Sequence, residues 1–292
     1  MKKISLLLGI FLLIFATTFF YEHKNPKVQE SITFFPIDPK VTYKITNTSL
    51  RLIDQKPAEH DSLLWRITST LDQIAYLRQD AGLLFSNGRL VGELRYWKQN
   101  TTSLTQEKQI VNDKSAIFEA ITFHHAELHE KGNQIFSSQA LSEDHLYLIH
   151  SASSKKDSFR SPMTQEESEW KQRLDEQTRM LLQYSWSKGT RYFSIPLNNY
   201  QAFPLNLFNE KAKTGLPGFT STETARIIGN LWEGLYKNYF LGIKKADGTI
   251  VSPIGSTIPL ILVANNKTHL LVLTETANGE PILLRQRIKD VD

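Results

Sequence analysis

The sequence predicts an α+β fold, in which an antiparallel β-sheet built from hairpins carries about three packed helices and follows an N-terminal transmembrane helix. An uncharged apolar run at the start predicts the transmembrane helix. Asn-Gly pairs between apolar segments predict hairpins, because both residues tolerate the positive φ angles of a type I′ turn. Two Thr-x-x-Glu patterns before apolar runs predict helix starts.

The apolar run extends from Ile4 to Tyr21, 18 residues without a charge. As a helix it would be ~27 Å long, which is enough to cross a thin bilayer. Lys2 and Lys3 favour a cytoplasmic N-terminus, so the rest of the chain would be extracytoplasmic. The alternative is a signal peptide and a secreted protein. The run ends in Phe19-Phe20-Tyr21 rather than small residues, which favours an uncleaved, single-pass membrane anchor.

Composition excludes several classes of function. The 292 residues include no cysteine, which removes disulfides, thiol catalysis and Cys-based metal sites, and an exported protein without disulfides suits a bacterial envelope. The chain holds 34 basic and 30 acidic residues. Residues 1–27 contain four lysines and one glutamate, which leaves 30 basic and 29 acidic residues in the remainder. A nearly neutral body lacks the charge that nucleic-acid binding requires.

Three regions follow from the distribution of proline and apolar residues. Residues 1–27 are the cytoplasmic tip and anchor, residues 28–60 a proline-interrupted connector, and residues 61–292 the body, with a lobe boundary near 150–163. Val41 to Ile45 alternates and predicts a short strand inside the connector.

The body is predicted to begin with a helix from Asp61 to Gly82. Leu64, Ile67, Leu71 and Ile74 recur at three- and four-residue steps, which places them on one helix face. Asp61 is a suitable N-cap and Gly82 a suitable C-terminal residue.

Residues 83–150 are predicted to form an antiparallel meander. Asn87-Gly88 forms the first turn, and a polar stretch follows from Lys98 to Lys114. Ile117 to His129 alternates as a strand, and Ile135 to His150 returns with a break at Ser142–Asp144.

Helices and strands then follow in the second half. Thr164 with Glu167 predicts a helix to about Tyr184, and Thr220 with Glu223 predicts a central helix to Leu241. Between them, prolines and glycines in residues 185–219 predict a long irregular connection. The last predicted strands are Ile258 to Val263, His269 to Leu273 and Ile282 to Ile288, with a turn at Asn278-Gly279.

A metal site is the first candidate site. In a strand, His125, Glu127 and His129 project from one face, and His124 from the other. Two imidazoles and a carboxylate are suitable ligands for zinc, although strand neighbours ~6.5–7 Å apart would need further ligands. His145 and His150 on the return strand could supply them. The alternative is a row of polar residues on a solvent-facing strand.

An aromatic surface is the second candidate. Tyr200, Phe203, Phe208 and Phe219 lie on the irregular connection, where rings could stack on a glycan or small ligand or contact a partner protein. The alternative is that these rings fasten the connection to the core.

The leading functional prediction is a non-catalytic interaction or regulatory module of a bacterial cell envelope, with a protein partner and no resident cofactor. The chain has no nucleophile elbow, phosphate-binding glycine loop or dinucleotide fingerprint. The two alternatives are a metal-dependent envelope hydrolase that uses the histidine cluster and a glycan or small-ligand binder that uses the aromatic connection.

Overall fold

The fold is mostly antiparallel β-sheet with three helices among the residues that the structure describes. The structure is a computed structural model and describes residues 31–53, 62–112, 114–150, 157–245 and 248–288. These residues fall in one structural unit, Ile32–Asp292, apart from residue 31. The predicted anchor, residues 4–21, lies outside the described residues, and none of the helices described is long and apolar enough to cross a membrane.

The first sheet has six strands, in the order β1-β2-β4-β5-β6, with β3 also paired to β2. The strands are β1 (Tyr43–Ile53), β2 (Ser62–Ser86), β3 (Arg89–Val111), β4 (Ala116–His129), β5 (Ile135–Ile149) and β6 (Asp157–Phe159). Asn87 and Gly88 join β2 to β3 with φ angles of 48° and 80°, which confirms the predicted hairpin turn.

The long strand β2 organises this sheet by pairing with two different strands along one edge. Its first half pairs with β1 and its second half, Leu77 to Ser86, pairs with β4. The register with β3 shifts between Thr70 and Ala75, where β2 changes partner. The sheet folds over itself there, so that Thr48 of β1 bonds Thr122 of β4 through their hydroxyls at 2.6 Å. Apolar side chains fill the space between the two layers (Leu50, Leu63, Trp65, Ile67, Leu84, Phe118, Leu146 and Leu148).

The predicted helix over 61–82 was wrong, because residues 62–82 form most of β2, and the predicted N-cap Asp61 lies outside the described residues. The helical spacing of Leu64, Ile67 and Leu71 coincides with a strand that is buried on both faces, and the fourth member, Ile74, is 66% exposed. Gly82 ends no helix. A Cβ at Gly82 would lie 2.4 Å from Ile67 Cδ1, so the close approach of the two halves of β2 requires glycine. Long-range pairing has outweighed local periodicity.

Three further sequence predictions need correction in this sheet. The polar stretch 98–114 is largely strand, because β3 continues to Val111 alongside β2. The break expected at 142–144 is absent, because these residues pair with Ala120, Ile121 and Thr122 without interruption. The strand expected inside the connector extends much further, as β1.

The second sheet has four strands in the order β12-β11-β10-β7, all antiparallel. They are β7 (Tyr200–Pro204), β10 (Leu260–Ala264), β11 (His269–Glu275) and β12 (Pro281–Arg287), and a separate pair consists of β8 (Ile243–Lys244) and β9 (Ile250–Val251). These strands confirm the C-terminal prediction. Asn278-Gly279 lies in the turn between β11 and β12 as expected.

The helices are α1 (Gln165–Tyr192), α2 (Phe208–Thr214) and α3 (Ser221–Phe240). Both predicted capping boxes are present, at Thr164 with Glu167 and at Thr220 with Glu223. Helix α3 packs between the two sheets, where Trp232 stacks on Phe123 of β4 with ring centroids 5.3 Å apart. This position confirms that α3 is the central helix.

The connection 185–219 is less irregular than predicted. Helix α1 continues to Tyr192 rather than ending near Tyr184, and β7, α2 and two short 3₁₀ turns occupy much of the remainder. Helix α1 gains this extra length against the second sheet, where a Cβ at Gly189 would lie 2.7 Å from Leu273 Cδ1. Contact with a distant strand therefore extends the helix beyond its local sequence signals.

Candidate functional site

His125 lies inside the fold rather than on a solvent-facing strand. Its side chain is 1% exposed, and its Nε2 lies 3.0 Å from the hydroxyl oxygen of Ser137. Burial, reinforced by the charge of Arg78, lowers the pKa of His125 from 6.5 to about 4. The imidazole is therefore neutral at neutral pH, which is the form that binds metals.

The other two residues of the predicted metal triad pair with each other. His129 bonds the Glu127 carboxylate and stacks on Tyr76 with ring centroids 3.8 Å apart. Within the described ranges, no group of three or more His, Cys, Asp or Glu side chains is placed to hold a metal ion. Zinc binding by His125, Glu127 and His129 stays a prediction, and elemental analysis of the purified chain would test it.

His124 projects to the opposite face of β4, as predicted, and joins a buried polar network between the two layers of the first sheet. Its Nε2 lies 2.7 Å from Ser142 Oγ, and its Nδ1 lies 3.1 Å from Asp80 Oδ1 without the alignment of a hydrogen bond. Ser142 Oγ also lies 2.7 Å from Thr48 Oγ1. This Asp–His–Ser order resembles a hydrolase triad, but its hydroxyl is shared with β1. The network therefore links strands where the sheet folds over.

The four aromatic residues predicted as a ligand surface do not form one patch. Phe208 is fully buried in the core, and Phe203 packs edge-on against it at 6.3 Å. Tyr200 bonds His269 Nε2 through its hydroxyl at 3.0 Å. Phe219 packs on the core beneath Lys267, whose ammonium lies 5.1 Å from the ring centroid. These contacts favour the alternative, in which the rings anchor the connection 185–219 to the core. Ligand binding by these rings stays a prediction.

A groove lies between α3 and β12, which the sequence did not indicate. It has a volume of about 610 Å³. Helix α3 contributes residues from Asn230 to Asn238, and β12 contributes five consecutive residues, Leu283 to Arg287. Gly234 lies on the helix wall, and a Cβ there would meet no atom within 4 Å. The groove therefore has open space beside a continuous length of strand.

Strand β12 is an edge strand, and the register shows which of its backbone groups face outward. Ile288 donates its N–H to Thr268 O at 3.0 Å, and Thr276 donates to Glu280 O at 2.9 Å. Bonded and non-bonded pairs alternate in an antiparallel ladder, so the even-numbered residues of β12 bond β11. The N–H and C=O groups of Leu283, Arg285 and Arg287 consequently point away from the sheet.

The edge of β12 beside the groove carries two cations. Arg285 and Arg287 line the groove, but they alternate with Leu284 and share a strand face with Leu283, so their side chains project from the face of the sheet opposite α3. The other charged lining residues, Glu233 and Lys237, belong to α3. Glu233 and Lys237 pair with each other at 3.0 Å. Among the residues described, neither Arg285 nor Arg287 has an ion-pair partner, and the buried Gln286 Nε2 has no acceptor. Free backbone donors, an unpaired amide donor and two cations together favour a ligand rich in acceptors and negative charge.

Sequence reasoning identified β12 as a strand but did not indicate that it lies at a sheet edge beside a groove. The signal was present as Arg285 and Arg287, two cations at alternating positions after the apolar Ile282-Leu283-Leu284. Cations on a strand also serve to protect an edge from pairing, so the pattern alone does not separate the two roles. The groove between β12 and α3 is the additional observation that favours a binding role.

Comparisons with known proteins give no function. No family model matches the chain, and no curated protein matches it. A solved structure that matches is the solution structure of a protein from Arabidopsis thaliana, with 11% identity over 44% of this chain and 94% of that chain. Its TM-score is 0.26, which does not establish a shared fold.

Proposed function

We propose that the body is a non-catalytic interaction module that binds an extended, acidic segment of a partner protein as an added strand on β12. The proposal keeps the sequence-based prediction of a membrane-anchored, extracytoplasmic module of a bacterial cell envelope, with residues 4–21 as the anchor. It adds a place on the body where the partner binds and a chemistry for the segment that binds there.

One observation carries this proposal: the outward backbone groups of β12 lie beside a groove whose opposite wall is α3. Added strands of this kind obtain affinity from main-chain hydrogen bonds and specificity from the side chains beside the strand. Leu283, Arg285 and Arg287 together offer three donors and three acceptors. At about 0.5–1.5 kcal/mol net for each bond, these contacts support a reversible complex rather than a permanent one.

The charge of the β12 edge determines which kind of partner segment would bind there. Arg285 and Arg287 are both exposed, and the carboxylate that lines the groove, Glu233, is already paired with Lys237. An acidic segment would place carboxylates next to these two arginines. A basic segment would be repelled, which gives the site a preference between partners.

Hydrogen exchange of the full chain, measured by mass spectrometry, tests the proposal. The probe is a peptide of about ten residues in which Val alternates with Glu, a length suited to one strand. Two control peptides carry Lys in place of Glu, or proline at alternate positions. We expect the acidic probe to slow exchange in the fragment that contains Pro281–Arg287, because Leu283, Arg285 and Arg287 gain hydrogen-bond partners.

Protection of this fragment by all three peptides, or by none, would contradict the proposal. Protection in the absence of any peptide, together with a dimeric mass in solution, would identify a second copy of the chain as the occupant and would also contradict it. Protection by the acidic probe and not by its proline version would support strand addition specifically.

A further inference from the structure

A second cleft lies between α1, β4 and the turn after β7. Its volume is about 350 Å³. Five of the eleven described residues that line it are apolar: Ile117, Leu182, Trp186, Pro204 and Leu207. The other six are polar or charged, and they include Glu119 of β4, which accepts a hydrogen bond from Asn206 Nδ2 at 2.6 Å. The cleft thus combines an apolar wall with an acidic end.

Glu119 is the charged group of this cleft that lacks a partner of opposite charge among the residues described. Asp175 accepts bonds from the Tyr147 hydroxyl and from the ammonium of Lys171. Arg179 pairs with the exposed Glu176. Burial raises the pKa of Glu119, and the hydrogen bond from Asn206 and the nearby His145 oppose this shift only in part. A bound cation would relieve the cost of burying this carboxylate.

Two other residues that line this cleft carry buried acceptors that have no partner among the residues described. Thr178 is 7% exposed, lines the cleft, and has no hydrogen-bond partner for Oγ1. Asn206 Oδ1 is also buried without a partner, since its amide nitrogen is the atom that contacts Glu119. An unpaired buried polar atom is costly, so a ligand that supplies donors would be favoured here.

We propose that this cleft binds a small primary ammonium on an apolar stem, with Glu119 as counter-ion and Thr178 and Asn206 as the additional acceptors. A primary ammonium carries three N–H donors, which matches a carboxylate, a hydroxyl and an amide oxygen. The apolar wall accommodates the stem. The source could be a free alkylamine or the side chain of a lysine, which share this chemistry.

Binding of hexylamine to the full chain, followed by ligand-observed NMR and calorimetry, tests the inference. Hexanol and hexanoate are the comparison ligands, and Nα-acetyl-lysine amide distinguishes the two sources. We expect saturable binding of hexylamine, at least about tenfold tighter than hexanol, because a charge-assisted hydrogen bond is lost with the alcohol. Tighter binding of the lysine derivative than of hexylamine would assign the site to lysine side chains.

Glu119→Gln should weaken hexylamine binding about tenfold or more, because the amide keeps the shape of the side chain and removes its charge. Thr178→Val should weaken it severalfold. The matched control is Glu130→Gln, which removes an exposed carboxylate that lies in the turn after β4 and does not line the cleft. Equal binding of hexylamine and hexanol would overturn the inference, as would equal losses in Glu119→Gln and Glu130→Gln. Absence of saturable binding to a folded wild-type chain would overturn it too.

Discussion

The ring of Phe34 lies against the bare backbone of Gly229 in the middle of α3. A Cβ on Gly229 would come within 2.2 Å of Phe34 Cδ2 and within 2.7 Å of Gln139 Oε1. The segment before β1 therefore crosses the central helix at a position where only glycine fits. Gly234, five residues further along the same helix, has open space in place of such contacts.

These two glycines give a matched test of the packing around α3. Gly229→Ala should destabilise the fold by about 1–3 kcal/mol, because the added methyl group collides with Phe34. Gly234→Ala should stabilise it by up to about 1 kcal/mol through helix propensity. Urea unfolding of both variants measures the difference. Equal stabilities would show that Phe34 does not pack on Gly229.

The buried His125 predicts a loss of stability in acid. Its pKa is about 4 in the fold, against 6.5 when exposed, so the unfolded chain binds a proton more readily. The stability that this histidine contributes is complete above pH 6.5 and is lost as pH falls through about 4. Between these values the free energy of unfolding should drop by about 3 kcal/mol.

His125→Gln isolates this contribution, because glutamine can still bond Ser137 and does not titrate. Urea unfolding in the presence of EDTA, at pH 7 and pH 4, should show a smaller acid loss in the variant than in the wild type. EDTA removes any contribution from a bound metal. The same acid loss in both proteins would contradict the burial of His125.

Glu119 should change the pH dependence of stability in the direction opposite to His125. Burial raises its pKa in the fold, so its contribution to stability is present below the pKa of the unfolded chain. That contribution is lost as pH rises through the raised pKa of the folded state. Glu119→Gln removes this titration and should therefore gain stability relative to wild type between pH 4 and pH 8. Thermal unfolding across that range checks the direction, and a relative loss in the variant would oppose it.

The sequence predicted best those features that are encoded locally. Asn87-Gly88 specifies its own turn, and Thr164 and Thr220 specify helix starts through glutamates three residues later. Strand β2 was not predicted as a strand, because the strands that pair with it are distant in sequence. The first half of β2 pairs with β1 and the second with β4, and burial on both faces imitates the periodicity of a helix.

The candidate sites depended even more on tertiary structure. Alternation placed His124 and His125 on opposite faces correctly, but it did not show that both faces are buried. The groove at β12 exists because the second sheet ends there and because α3 runs beside it. Sheet order and helix placement arise from contacts between residues far apart in the chain, which spacing within a segment does not encode.

Replacing Arg285 with proline tests strand addition on β12 most directly. The N–H of Arg285 points outward, so proline removes a donor from the free edge and leaves the bonds to β11 in place. Arg285→Ala is the matched control, because it removes the charge and keeps the N–H. If Arg285→Pro fails to fold, Gly234→Leu obstructs the groove from α3 instead, since its side chain extends into open space.

The measurement is the dissociation constant of the acidic probe for the wild type, Arg285→Pro and Arg285→Ala, with circular dichroism as the check of folding. We predict that Arg285→Pro binds about tenfold or more weakly than Arg285→Ala, because proline removes a main-chain hydrogen bond and also disturbs its neighbours. Equal affinities in the two variants, or an unchanged affinity in folded Gly234→Leu, would contradict the pairing of a partner strand with β12.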